Sequence, residues 1–116
     1  MPSIQPSKIE VVKSLKDAAD AAQLACEAAQ AANPAADPSG DLSKLYKAEM
    51  KAAAMWSTAE KQAFNADPAV AAAQAALDAA TKDIRNQLGT LKDIAQWVKA
   101  LDELVNLATT VSKFFV

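Results

Sequence analysis

The most nucleophilic side chain available to this protein is a lone thiol, Cys26, in a chain of 116 residues that contains no histidine. Without imidazole the commonest general base and the commonest metal ligand are both missing, as are the Glu-x-x-His pairs of carboxylate-bridged di-iron bundles. The two glycines stand apart at 40 and 89, so no glycine-rich loop is present to cradle a phosphate. Catalysis would have to come from carboxylates, lysines or the thiol.

The thiol sits in the wrong company for that. Cys26 falls on the line Val12, Leu15, Ala19, Ala22, Cys26, Ala29, spaced three and four apart, which is the apolar seam of a helix. Its nearest charge along the chain is Glu27, whose sign opposes thiolate formation. Cys26 therefore reads as a small buried hydrophobe. One cysteine also leaves the redox compartment open and rules out an intrachain disulfide.

The carboxylates read as solvated charge. Asp102 and Glu103 are adjacent and point about 100° apart on a helix, while Asp17 and Asp20 lie at helical spacing from Lys13 and Lys16. On the next segment Lys44, Lys47 and Lys51 form a basic line suited to complementing Asp17, Asp20 and Glu27, or an anionic surface. No metal and no cofactor is expected.

Bulk is scarce. The aromatics are Tyr46, Trp56, Phe64, Trp97, Phe114 and Phe115, and core packing is the first explanation for Trp56 and Phe64. The closing stretch LVNLATTVSKFFV spreads apolar residues around most of a helix, which implies a central position or a face awaiting a partner or a lipid surface.

The elements that carry these residues follow from composition. Of the hydrophobic 52%, 29 residues are alanine, and with only two glycines and five prolines the helix formers dominate. The expectation is an all-α single domain. Charge is balanced, 12 basic against 14 acidic residues, and stays balanced along the chain. No one-sided basic footprint for nucleic acid appears. The start MPSIQPSKIE lacks a signal pattern, and the longest uncharged run, Pro68 to Leu77, falls well short of the roughly 20 residues of a spanning helix. A soluble protein is expected, cytoplasmic or exported by a leaderless route.

Punctuation divides the chain. Ser7-Lys8-Ile9-Glu10 is a capping box, Asn33-Pro34 a stop, Asp41 a cap, and Asn65-Ala66-Asp67-Pro68 a tight turn between the second and third helices. Helices are expected over about 8–32, 41–65, 68–88 and 91–115, with a linker at 33–40. Gly89 and the box Thr90-x-x-Asp93 mark a break, yet the stripe Val70, Ala73, Leu77, Ala80, Ile84 runs on through Leu91, Ile94, Val98, Leu101, Val105 and Ala108 in phase. An antiparallel four-helix bundle is the favoured fold; three helices, the last long and kinked through Gly89, is the alternative.

Helix one keeps a single polar line, Lys13, Lys16, Asp20, Gln23, Glu27 and Gln30, so it should be touched on more than one side. From this follows the functional expectation: a non-enzymatic helical protein that self-associates or docks on a protein partner through alanine-rich faces. The candidate surface is Ala22, Cys26, Ala29, Leu104, Leu107, Val111, Phe114 and Phe115. The alternative is a membrane- or lipid-surface-active helical protein of the small-toxin or granule-coating type.

Overall fold

A computed structural model describes residues 6–32, 40–90 and 93–115. It contains four α-helices: α1 (Lys8–Ala32), α2 (Asp41–Lys61), α3 (Val70–Gln87) and α4 (Ile94–Ser112). They pack into the expected four-helix bundle. The linker over 33–39 and the stripe position Leu91 lie outside the described residues.

Each helix starts where the sequence can satisfy its free amides. Glu10 donates its backbone N–H to Ser7 Oγ at 3.3 Å, the first half of the capping box. The second half differs: the Glu10 carboxylate accepts from the Ser7 hydroxyl at 3.2 Å. α2 begins at Asp41 itself, and Gly40 takes the cap position in left-handed backbone, φ 75° and ψ 14°. Asp67 accepts from Ala69 N at 2.8 Å as expected, although the helix proper waits until Val70. Asp93 caps α4 by accepting from Ala95 N at 2.9 Å. The box at Thr90 does not form, because the Thr90 hydroxyl donates instead to the Gln87 carbonyl.

The two glycines are not equivalent. Gly40 is the only described glycine at positive φ; Gly89 breaks the helix without it, and a Cβ at either position would meet nothing within 4 Å. Gly40→Ala should therefore cost about 1–2 kcal/mol of unfolding free energy through left-handed strain alone. Gly89→Ala should gain up to about 1 kcal/mol by restricting the unfolded chain. Urea denaturation of the two variants measures both signs.

Directions follow from what touches what. Lys8 at the start of α1 reaches the Gln62 and Glu60 carbonyls at the end of α2, so these helices are antiparallel. Gln74, early in α3, donates to Ser14 Oγ and the Glu10 carbonyl early in α1, so α1 and α3 run parallel. Thr109 meets Met55 late in α4 and α2, which makes that pair parallel too. Among the described residues α2 and α3 make no contact, while α1 touches all three other helices. The cross-section is thus a ring α1, α2, α4, α3 squeezed along the α1–α4 diagonal.

That squeeze is written in side-chain size. α1 buries Ala18, Ala19, Ala21, Ala22, Ala25 and Ala29, whereas α4 buries Trp97, Leu101, Leu104, Ala108 and Val111. Alanine lets backbones approach closely, and the indole and leucines fill what remains. The buried line of α4 is 97, 101, 104, 108 and 111. It shares Leu101 and Ala108 with the stripe continued from α3 but takes Trp97 and Leu104 in place of Val98 and Val105, which are only half-buried.

The tight turn expected between α2 and α3 is not there. α2 stops at Lys61, Gln62 is extended, and residues 62–69 cross the end of the bundle to reach the diagonal position of α3. The crossing is tied to the chain's other end: Asn65 N donates to the Phe114 carbonyl at 2.7 Å, and Phe64 pairs with Phe115, ring centroids 5.2 Å apart at 47°.

Candidate functional site

The eight residues marked out as a candidate interaction surface lie inside the chain's own fold. Ala22, Cys26, Ala29, Leu104, Val111 and Phe115 are buried, and Leu107 and Phe114 are half-buried against the same core. The physical reason is the α1–α4 diagonal: α1, touched on three sides, uses its alanine face on its own helices, and the end of α4 takes a central place. Through Phe115 the large apolar side chains of this stretch are buried or half-buried against the core, so the described part of the tail offers no exposed patch to a lipid surface.

Cys26 is packed between α1 and α2, where its thiol donates to the Leu45 carbonyl at 3.3 Å. Burial, then the Glu49 carboxylate beside it, pushes the thiol from 9.0 up to about 12. The proton is thus held more tightly in the folded chain than in the unfolded one, where it leaves near 9. Cys26 contributes stability that is fully present below pH 9 and is lost as pH rises toward about 12. Wild type should therefore show a steeper alkaline fall in unfolding free energy than Cys26→Ala. A thiol reagent at neutral pH should modify Cys26 only as fast as the chain opens, which mass spectrometry against reaction time reads directly.

The charged groups line grooves between helices. The basic line of α2 does not face α1: Lys44, Lys47 and Lys51 border a shallow groove of about 210 Å³ with Asp102 and Val105 of α4. Lys16 of α1 instead lies over the ring of Trp56, 5.7 Å from its centroid. This accounts for the half-burial of Trp56, expected in the core, while Trp97 is the largest fully buried side chain. A wider groove, about 480 Å³, runs between α1 and α3 past Glu10, Lys13, Asp17, Asp78, Lys82 and Arg85.

Two buried hydroxyls lie along this groove and both are satisfied within the fold. Ser14 donates to the Glu10 carbonyl and accepts from Gln74, and Thr81 donates to the Leu77 carbonyl. Among the described residues no buried side-chain polar atom lacks a partner, and no group of acidic or thiol side chains is arranged to hold a metal ion. The polar chemistry of the interior is occupied in holding helices together.

One surface was missed in the sequence. On α3 the residues Ala71, Ala72, Ala75, Ala76 and Ala79 are exposed, because this helix touches only α1 and α4 and turns the rest of its circumference outward. The signal was the uncharged run Pro68 to Leu77. Among the described residues the exposed large apolar side chains, Ile9, Leu24, Tyr46 and Met50, are on α1 and α2. Tyr46 is anchored by its hydroxyl, which donates to Gln30 Oε1. No described helix is long and apolar enough to cross a membrane. No protein-family model, no curated protein and no solved structure matches the chain.

Proposed function

We propose that this chain is a non-enzymatic helical interaction protein whose contacts are made helix on helix, a second copy of itself included. The observation that carries the reading is the outward face of α3. Between Asp67 and Asp78 its exposed residues are Pro68 and alanines, with Gln74 half-buried, whereas the outward faces of α1, α2 and α4 interleave polar or charged side chains such as Gln23, Glu27, Lys51, Thr58, Glu103 and Asn106. A flat alanine surface admits a second helix at close range without side-chain ordering.

Shape supports a second copy as the occupant. Antiparallel pairing about Ala75 sets Ala71 of one copy against Ala79 of the other, twice over, and places Asp67 beside both Lys82 and Asp83, so charge is balanced rather than opposed. A single helix pair is a small contact, so the association belongs to the weak, reversible class. Sedimentation equilibrium from micromolar to millimolar concentration should show a rising average mass that Ala72→Lys/Ala79→Lys abolishes. Equal monomeric behaviour of both proteins at millimolar concentration would sink the reading.

A further inference from the structure

The bundle is assembled from two hairpins, α1–α2 and α3–α4, and what joins them differs from what holds each together. The covalent link is the crossing segment 62–69, which contains no helix and leads between two helices that do not touch. Among the described residues it is tied to the rest of the fold by the Lys8 ammonium, which donates to the Gln62 carbonyl at 2.6 Å, and by the pairing of Phe64 and Asn65 with Phe115 and Phe114.

Grooves run along the seam between the hairpins. The α1–α3 side has the groove of about 480 Å³, and the α2–α4 side has those of about 380 and 210 Å³. The groove between α3 and α4, within one hairpin, is about 150 Å³. Side-chain hydrogen bonds across the seam include Gln74 to Ser14 and Glu10, and Thr109 to Met55.

Each hairpin nevertheless buries an inner face that only the other fits: alanines on α1, and Trp97, Leu101 and Leu104 on α4. A hairpin that swings out on 62–69 exposes that face, and the one surface shaped to cover it belongs to another copy. We propose that the chain forms a hairpin-exchanged dimer, in which 62–69 straightens and α3–α4 of each copy packs on α1–α2 of the other. Every seam contact is remade between chains, so the balance with the closed monomer depends on the connector and on concentration. The exchange does not rest on the outward face of α3, which stays free in it.

The test places Met55→Cys and Thr109→Cys in a Cys26→Ala background, since Thr109 Oγ1 and Met55 Sδ stand 3.6 Å apart across the seam. The protein is refolded from denaturant at millimolar concentration, the dimer fraction is isolated by size exclusion, and a short bis-maleimide is added. Exchange predicts that the reagent joins two chains in the dimer and closes one chain on itself in the monomer. A second variant deletes Ala63 and Ala66, shortening the crossing so that it no longer spans the diagonal, and should raise the dimer-to-monomer ratio at least about tenfold, or roughly 1.4 kcal/mol. Ala72→Lys/Ala79→Lys should leave both results unchanged. Refolding to monomer alone, or a dimer in which every cross-link closes within one chain, overturns the exchange. If the shortened chain does not fold, the cross-link result on the full connector decides.

Discussion

Trp97→Ala is expected to remove about 3–5 kcal/mol of unfolding free energy, the range for truncating a large buried aromatic. Trp97 is 0% exposed and the largest fully buried side chain. The loss has two parts: the indole's transfer out of water and a cavity that the neighbours cannot close. α1 meets this region with alanines, whose side chains have no rotamers with which to move into the void. Since a chain of this length has about 6–17 kcal/mol in total, the variant should approach the edge of folding at physiological temperature. Trp97→Phe should lose markedly less. Urea denaturation followed by helical circular dichroism measures both, and a loss below about 1 kcal/mol for Trp97→Ala would mean that the indole is not the centre of the core.

The second large effect is expected at the end of the chain. Phe115→Ala should cost about 3 kcal/mol, at the low end of the range because the ring keeps some exposure and its partner Phe64 is only half-buried. The ring is 6% exposed and stacks on Phe64, a pairing worth roughly 0.5–1.5 kcal/mol beyond area. What distinguishes this loss from that at Trp97 is its location. Phe115 holds the crossing segment through Phe64 and through the Asn65 N–H bonded to Phe114. Amide exchange at Asn65 should accelerate more in Phe115→Ala than exchange in the middle of α1. A double-mutant cycle with Phe64→Ala should return a coupling of the aromatic-pair size; additive losses would mean that the two rings act separately.

Much of the fold was legible because helix formation here is governed by local rules. The ends of α1 at Lys8 and Ala32 follow from a capping serine and a following Asn33-Pro34, and Asp67 marks the approach to α3, whereas α4 is capped by Asp93 rather than by the expected Thr90. These depend on side chains within a few residues, so the order along the chain is sufficient information. The polar line of α1 was legible for the same reason. Cys26 too was placed correctly in an apolar seam by spacing, and its raised pKa follows from burial.

The rest was not local. Periodicity gave a stripe through Val98 and Val105, but a stripe of period 3.5 tolerates a shift by one residue, and only packing against α1 selects Trp97, Leu104 and Val111. Trp56 and Trp97 carry equal hydrophobic signal, and that Trp97 rather than the expected Trp56 is fully buried depends on which of them faces the alanine diagonal. The candidate surface at Ala22, Cys26, Ala29 and the end of α4 was chosen because those faces were too wide for one neighbour. A helix with three neighbours uses such a face entirely.

By itself the sequence determined that this chain is helical, that it holds four helices with the bounds of α1, and which side chains stay in water, since caps, prolines and spacing act over a single turn. The tertiary structure alone decided that α2 and α3 lie on a diagonal, that 62–69 is a crossing held by Phe115, and that the alanine face left outside belongs to α3. Those outcomes depend on which alanine surface meets which large side chain. An alanine stripe is nearly the same from every helix that bears it, so the choice of partner is made by the few bulky residues it must accommodate.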